Sequence, residues 1–148
     1  MIQIPIANKL VGLFPESRCF KLKSYIYRKL CNFDIAYDVR LFSSFKILGV
    51  KNISIGSDTF IGFQSLIMGP SDTCVKIGSN VDISSRVSII TGTHEIDNNR
   101  KRIAGRGFGK NITIEDGAWI GFGAIIMPGV TIGKKSIVAS GSVVIRDV

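Results

Sequence analysis

A chain of 148 residues with 45% hydrophobic content is long enough for one globular domain and leaves little room for a second. Nineteen Lys and Arg against eleven Asp and Glu give a formal charge of +8, which suits an anionic ligand, an acidic polymer or an anionic membrane surface without choosing among them. Cys19, Cys31 and Cys74 are odd in number and lack CxxC spacing, which argues against a disulfide framework or a zinc site and for reduced, mostly packed thiols.

The opening MIQIPIANKLVGLF is apolar in part, but Pro5, Asn8 and Lys9 interrupt it and no small-residue cleavage site follows. It therefore resembles neither a signal peptide nor a membrane span, and an intracellular protein is expected. Residues 16–31, ESRCFKLKSYIYRKLC, predict a short helix in which Phe20, Leu22, Tyr25, Ile26 and Leu30 alternate with five basic residues. Two uses suit it: a cap over the open end of a repeat domain, or a basic aromatic face against an anionic leaflet. Residues 1–48 are assigned to such an N-terminal cap.

From Ile55 onward the chain is periodic. Aliphatic residues recur every six positions as Ile55, Ile61 and Ile67, then Ile77, Ile83 and Ile89, then Ile114, Ile120, Ile126, Ile132, Val138 and Val144. Four positions after nearly every one comes a small or β-branched residue: Thr59, Ser65, Val81, Val87, Ala118, Ala124, Val130, Ser136 and Ser142. Glycine follows the aliphatic at Gly56, Gly62, Gly78, Gly121 and Gly133, where a turn needs little side chain. Each unit of six reads as a short strand and a turn, and three units close one coil. Coils stacked at the ordinary strand spacing of about 4.8 Å would pack each aliphatic on its equivalent above and below. The expected architecture is a parallel β-helix over residues 49–148. Its phase breaks at Gly69 to Thr73 and again in a longer excursion over about 91–111. Segments projecting from a rigid solenoid usually carry the function.

The segments IGSDTFIG, IGSNVDISSRV, TGTHEID and AWIGFGAIIMPGVTIGKKSIVASGSVV make roughly residues 50 to 148 resemble the hexapeptide-repeat acyltransferases. That family includes galactoside, maltose, serine and streptogramin acetyltransferases, and the similarity is greatest to its sugar and antibiotic O-acetyltransferase branch. The resemblance implies an all-β, left-handed parallel β-helix with a short N-terminal helical segment. It also implies acetyl-CoA as co-substrate, no metal, no nucleic-acid partner, and a homotrimer with active sites between subunits. Relatives typically continue through a further coil after the position of Val148, so the chain looks short. The same coil occurs in nucleotidyltransferases and γ-class carbonic anhydrases, so function has to be argued from the site.

His94 is the only histidine, and it opens the excursion, off the inward repeat positions. A neutral imidazole can take a proton near pH 7 from an attacking hydroxyl, a role often worth about 10² to 10⁴ in rate. A single histidine also argues against a zinc site needing three. By the resemblance, His94 matches the family's catalytic base. Asp82, Glu95 and Asp97 are the acidic candidates to orient it or to touch the acceptor, with Asp82 favoured because family members often place an Asn or Asp there. Glu95 stands where maltose and galactoside relatives have proline. Trp119 precedes the inward Ile120 and should face outward, where the family places a tryptophan beside the thioester to exclude water. The resemblance further assigns the Gly121 and Ser140 amides to the acetyl carbonyl and pantetheine, and Lys134, Lys135 and Arg146 to the coenzyme phosphates. Arg100, Lys101, Arg102 and Arg106 could steer an anion, in a segment that Gly105, Gly107 and Gly109 mark as a mobile loop.

Taken with these residues, the resemblance implies an acetyl-CoA-dependent O-acetyltransferase that acts on a sugar hydroxyl, a precursor of a surface polysaccharide being the expected acceptor. The setting would be cytoplasmic or membrane-peripheral, with membrane contact through residues 16–31. A small amine or antibiotic acceptor, and a non-enzymatic scaffold, remain open as alternatives.

Overall fold

The twelve in-phase aliphatics are all buried in the computed structural model, which describes residues 2–99 and 101–148. Each lies in a strand of two to four residues whose neighbouring side chains turn outward. The strands form three parallel five-stranded sheets, which the chain visits in rotation. The first face holds Asp34–Ile35, Asn52–Ile55, Cys74–Ile77, Ile112–Ile114 and Thr131–Ile132. The second holds Arg40–Leu41, Phe60–Ile61, Asp82–Ile83, Trp119–Ile120 and Ile137–Val138. The third holds Lys46–Leu48, Leu66–Met68, Ser88–Ile90, Ile125–Ile126 and Val143–Val144. Equivalent aliphatics pair in register, as Ile61 with Ile83 and Ile83 with Ile120, so the core is a continuous column. Burying one such isoleucine contributes roughly 1.5–3 kcal/mol.

The coil begins at Asp34, not at residue 49 as expected. Ile35, Leu41 and Ile47 already keep the six-residue spacing and are buried. Their continuation is masked because eight residues, not six, separate Ile47 from Ile55. The glycine after the aliphatic leaves little room for a side chain, as expected, though not through its own dihedral. Gly56, Gly62, Gly78 and Gly121 do not have positive φ; the left-handed conformation falls two residues later, at Asp58, Gln64, Asn80, Arg86, Gly117, Gly123 and Lys135 among others. The glycine after the aliphatic is needed for space: a Cβ on Gly121 would lie 2.6 Å from the Ser140 nitrogen on the next coil.

Two helices close the first coil. α2 (Phe20–Cys31) falls within the expected helical segment, whereas α1 (Gln3–Val11) was not expected. Pro5 is tolerated because it lies in the first turn, where its nitrogen would have no intrahelical partner. Asn8, which reads in sequence as an interruption, is buried and takes the place of an adjacent strand. Its Nδ2 donates to the Ile47 carbonyl at 2.7 Å, and its Oδ1 accepts from the Ile47 amide at 3.3 Å and from the Tyr27 hydroxyl at 2.8 Å. Lys23 is fully buried, and its ammonium donates to the carbonyls of Pro15 (2.9 Å), Glu16 (2.7 Å) and Leu41 (3.1 Å). Burial lowers its pKa, and the nearby Glu16 carboxylate acts in the opposite direction. The cap thus satisfies edge carbonyls as well as covering apolar surface. Of the three free cysteines, Cys31 and Cys74 are partly buried; Cys19 is exposed, contrary to the packed thiol expected.

Candidate active site

Every interruption of the six-residue phase follows the third face, so the insertions stack at one corner of the prism. The short insertion after Met68 lies one coil below the long excursion after Ile90. The excursion is not a loop. It is an antiparallel hairpin of Gly92–Ile96 and Ala104–Gly109, with Thr93 opposite Phe108 and His94 opposite Gly107. Thr91 and Lys110 close its base through an amide-to-carbonyl bond of 2.9 Å. Gly109 seats it on the insertion beneath, where a Cβ would meet Thr73 and come within 2.6 Å of Pro70.

The register slips between His94 and Ile96. At this irregularity the Gly105 carbonyl lies 3.0 Å from His94 Nδ1. A carbonyl only accepts, so Nδ1 must carry the proton, and a neutral ring then leaves the Nε2 lone pair free as a base. The ring lies close over the facing strand: a Cβ on Gly107 would sit 3.4 Å from its Cε1. His94 opens onto a cleft of about 480 Å³ walled by Met68, Pro70, Ile90 and Phe108, with Asp72 and Thr93 as its other polar side chains. Met68, Asp72 and Phe108 are absent from the sequence-based set. The shared corner of the two insertions is the signal that joins them to His94.

The remaining candidates are distributed differently from expectation. Asp82 does not orient His94 within the chain; it lies exposed on the second face, paired in register with Phe60 and Trp119. The Gly105 carbonyl holds that position instead, because the hairpin folds back on itself beside the ring. Trp119 faces outward as expected and is 54% exposed. Glu95 is exposed on the hairpin, and Asp97 is partly buried with its carboxylate accepting from the Asn99 amide at 3.0 Å. Neither lines the cleft. Gly121 cannot offer its amide, which donates to the Val138 carbonyl at 2.8 Å in the ladder between coils. The Ser140 amide, at the turn above, has no such partner among the described residues.

The three expected phosphate contacts do not form one cluster. Arg146 is exposed at the same corner as the hairpin, two coils further along. Lys134 and Lys135 occupy the turn after the first face. Lys134 lies 3.5 Å from Asp116, whose carboxyl is held below the usual range chiefly by the Ser79 amide and secondarily by Lys134. An exposed pair of this kind adds little stability. Lys101, Arg102 and Arg106 are exposed along the hairpin, and Arg100 lies outside the described residues. Among the described residues no group of three or more metal-ligating side chains comes together.

An outward tryptophan, a histidine on a projecting hairpin and a three-faced parallel coil define the class: a parallel β-helix with a hairpin and cleft at one corner. Residues 111–146 match the family model described as bacterial transferase hexapeptide (six repeats). That stretch thus carries the repeat of the hexapeptide transferases, and the chain as a whole is similar to hexapeptide-repeat acetyltransferases. It is 44% identical over 98 residues to the putative acetyltransferase YJL218W of Saccharomyces cerevisiae, covering 66% of this chain and 48% of that protein. It is 36% identical over 101 residues to the galactoside O-acetyltransferase of Lactococcus lactis, covering 68% and 47%. The chain thus spans about half the length of the curated relatives it matches. Among solved structures, the hexapeptide-repeat acetyltransferase VCA0836 of Vibrio cholerae, complexed with acetyl-CoA, superimposes with a TM-score of 0.73 at 27% identity. That match covers 98% of this chain and 78% of the other.

Proposed function

We propose that the chain is an acetyl-CoA-dependent O-acetyltransferase with a sugar acceptor, a precursor of a surface polysaccharide, and that it works in the cytoplasm. The observation that carries this reading is the His94 ring, fixed by the Gly105 carbonyl so that Nε2 is the free base at the mouth of an otherwise largely apolar cleft. Nε2 takes the proton of the acceptor hydroxyl as its oxygen attacks the thioester carbonyl. The tetrahedral centre then collapses with cleavage of the C–S bond, and the imidazolium returns the proton to the departing sulfur. No acyl-enzyme is formed. The donor thioester would lie along the apolar wall, with the Ser140 amide available to its carbonyl groups and Arg146 to its phosphates.

Thiol release from acetyl-CoA, followed with a panel of sugar acceptors, tests this directly. Acceptor-dependent release is expected; no release with any acceptor and no acetyl-CoA binding would overturn it.

His94 and Trp119 lie on different parts of the coil, which supports a site shared between subunits of a homotrimer, with histidine from one and tryptophan from the next. His94→Ala and Trp119→Ala chains, each nearly inactive alone, should then regain measurable activity when dissociated and reassembled together. Mixtures no more active than their parts would count against a shared site. Among the described residues no helix is long and apolar enough to cross a membrane, so any membrane contact by residues 16–31 would be peripheral.

A further inference from the structure

The helical cap turns outward a surface that the corner site does not use. On α1, Ile4, Ala7, Asn8 and Val11 are buried against the coil. On the opposite side Ile2, Ile6, Leu10 and Leu13 recur at helical spacing and are 74%, 45%, 40% and 75% exposed. The helix is therefore apolar on both sides, and a ridge of large aliphatics in water calls for a covering partner. On α2, the side opposite buried Lys23, Ser24 and Tyr27 carries Lys21, Leu22, Tyr25, Arg28 and Lys29, all exposed. A cleft of about 800 Å³ beside it is lined by Tyr25, Arg28 and Lys29 together with Asn32, Phe33 and Asp34.

The charge of this region selects among partners. Residues 2–31 contain Lys9, Arg18, Lys21, Lys23, Arg28 and Lys29 against Glu16 alone, and of the six cations only Lys23 is buried. A second copy of the chain docking through the same face would set this basic belt against its own like. An anionic bilayer supplies apolar depth for the ridge and negative charge for the belt at once.

We propose that the two-helix cap seats on an anionic phospholipid surface, with the α1 ridge in the boundary between headgroups and acyl chains and the α2 cations on lipid phosphates. The sequence marks only residues 16–31 for such a contact; the apolar half of the surface comes from α1. This contact is independent of acyl transfer, since it uses neither the cleft nor the hairpin.

Flotation of the full chain with vesicles of phosphatidylcholine, with and without a phosphatidylglycerol fraction, tests it. Binding should be about tenfold stronger to the anionic vesicles and should weaken as salt is raised. Ile6→Ser with Leu13→Ser should abolish binding, and Lys21→Glu with Lys29→Glu should do so independently, while circular dichroism melting and any thiol-release activity on a soluble acceptor stay unchanged. Reversal of a cation elsewhere, Lys51→Glu, should leave binding intact. No binding to either vesicle, or equal binding to both, would overturn the proposal. Absence of vesicle binding combined with a lower particle mass by light scattering for the Ile6 and Leu13 variant would assign the ridge to a second copy of the chain instead.

Discussion

Replacing His94 with Ala is expected to lower kcat/KM for acetyl transfer by about 10² to 10⁴-fold, roughly 3 to 5 kcal/mol of transition-state stabilisation. The loss should appear in kcat, because an imidazole serving as the proposed base would act on a proton that moves only as the hydroxyl attacks. His94→Asn should fall as far: an amide can still donate to the Gly105 carbonyl but cannot take the proton. The side chain is exposed and makes one hydrogen bond, so the denaturation midpoint should shift by no more than about 0.5 kcal/mol in equivalent stability. An Ala variant that kept more than about a tenth of the activity would remove His94 from the role of base.

Gly121→Ala should destabilise the fold by about 3 kcal/mol, measured by chemical denaturation. Its Cβ would lie 2.6 Å from the Ser140 nitrogen, 2.8 Å from the Val138 oxygen and 2.9 Å from the Ala139 carbonyl carbon. All three are backbone atoms of the neighbouring coil, so no side chain can move aside. Gly123 is the matched control. Its φ is +68°, and a methyl there would enter open space with nothing within 4 Å, so Gly123→Ala should cost only the left-handed backbone penalty of about 1 kcal/mol. A larger loss at Gly123 than at Gly121 would show that the turn dihedral, and not the approach of the coils, sets the requirement for glycine. Either variant keeps its backbone N–H, so the comparison also separates packing from hydrogen-bond donation.

The repeat was legible because its core positions are chemically uniform: an inward site six residues from the next admits little besides Ile or Val. The first coil was harder to see because the chain lengthens after Ile47, which displaces the phase. The positive-φ turn position was available at Asp58, Asn80, Gly117, Gly123 and Gly141, residue types that tolerate this conformation, but Gln64, Arg86 and Lys135 dilute it. His94 and Trp119 could be picked out by scarcity and by repeat phase. The partner of the histidine could not, since the Gly105 carbonyl belongs to the backbone, lies eleven residues away and reaches the ring where the hairpin register slips beside His94. The separation of Lys134 and Lys135 from Arg146 likewise depends on which face precedes each turn, a matter of counting coils.

Stacked coils of this kind carry no intrinsic length. Each presents the next with the same row of amides and carbonyls, and an uncovered terminal rung is a template on which another chain could continue the pile into a fibre. The bidentate clasp of Asn8 on Ile47 closes that template at one end by imitating the missing rung with a side chain. Lys23 and Ser24 occupy the neighbouring carbonyls of Leu41 and Val39. Polymerisation is thereby blocked at this end by the helices themselves, and an otherwise open-ended lattice is given a defined first layer.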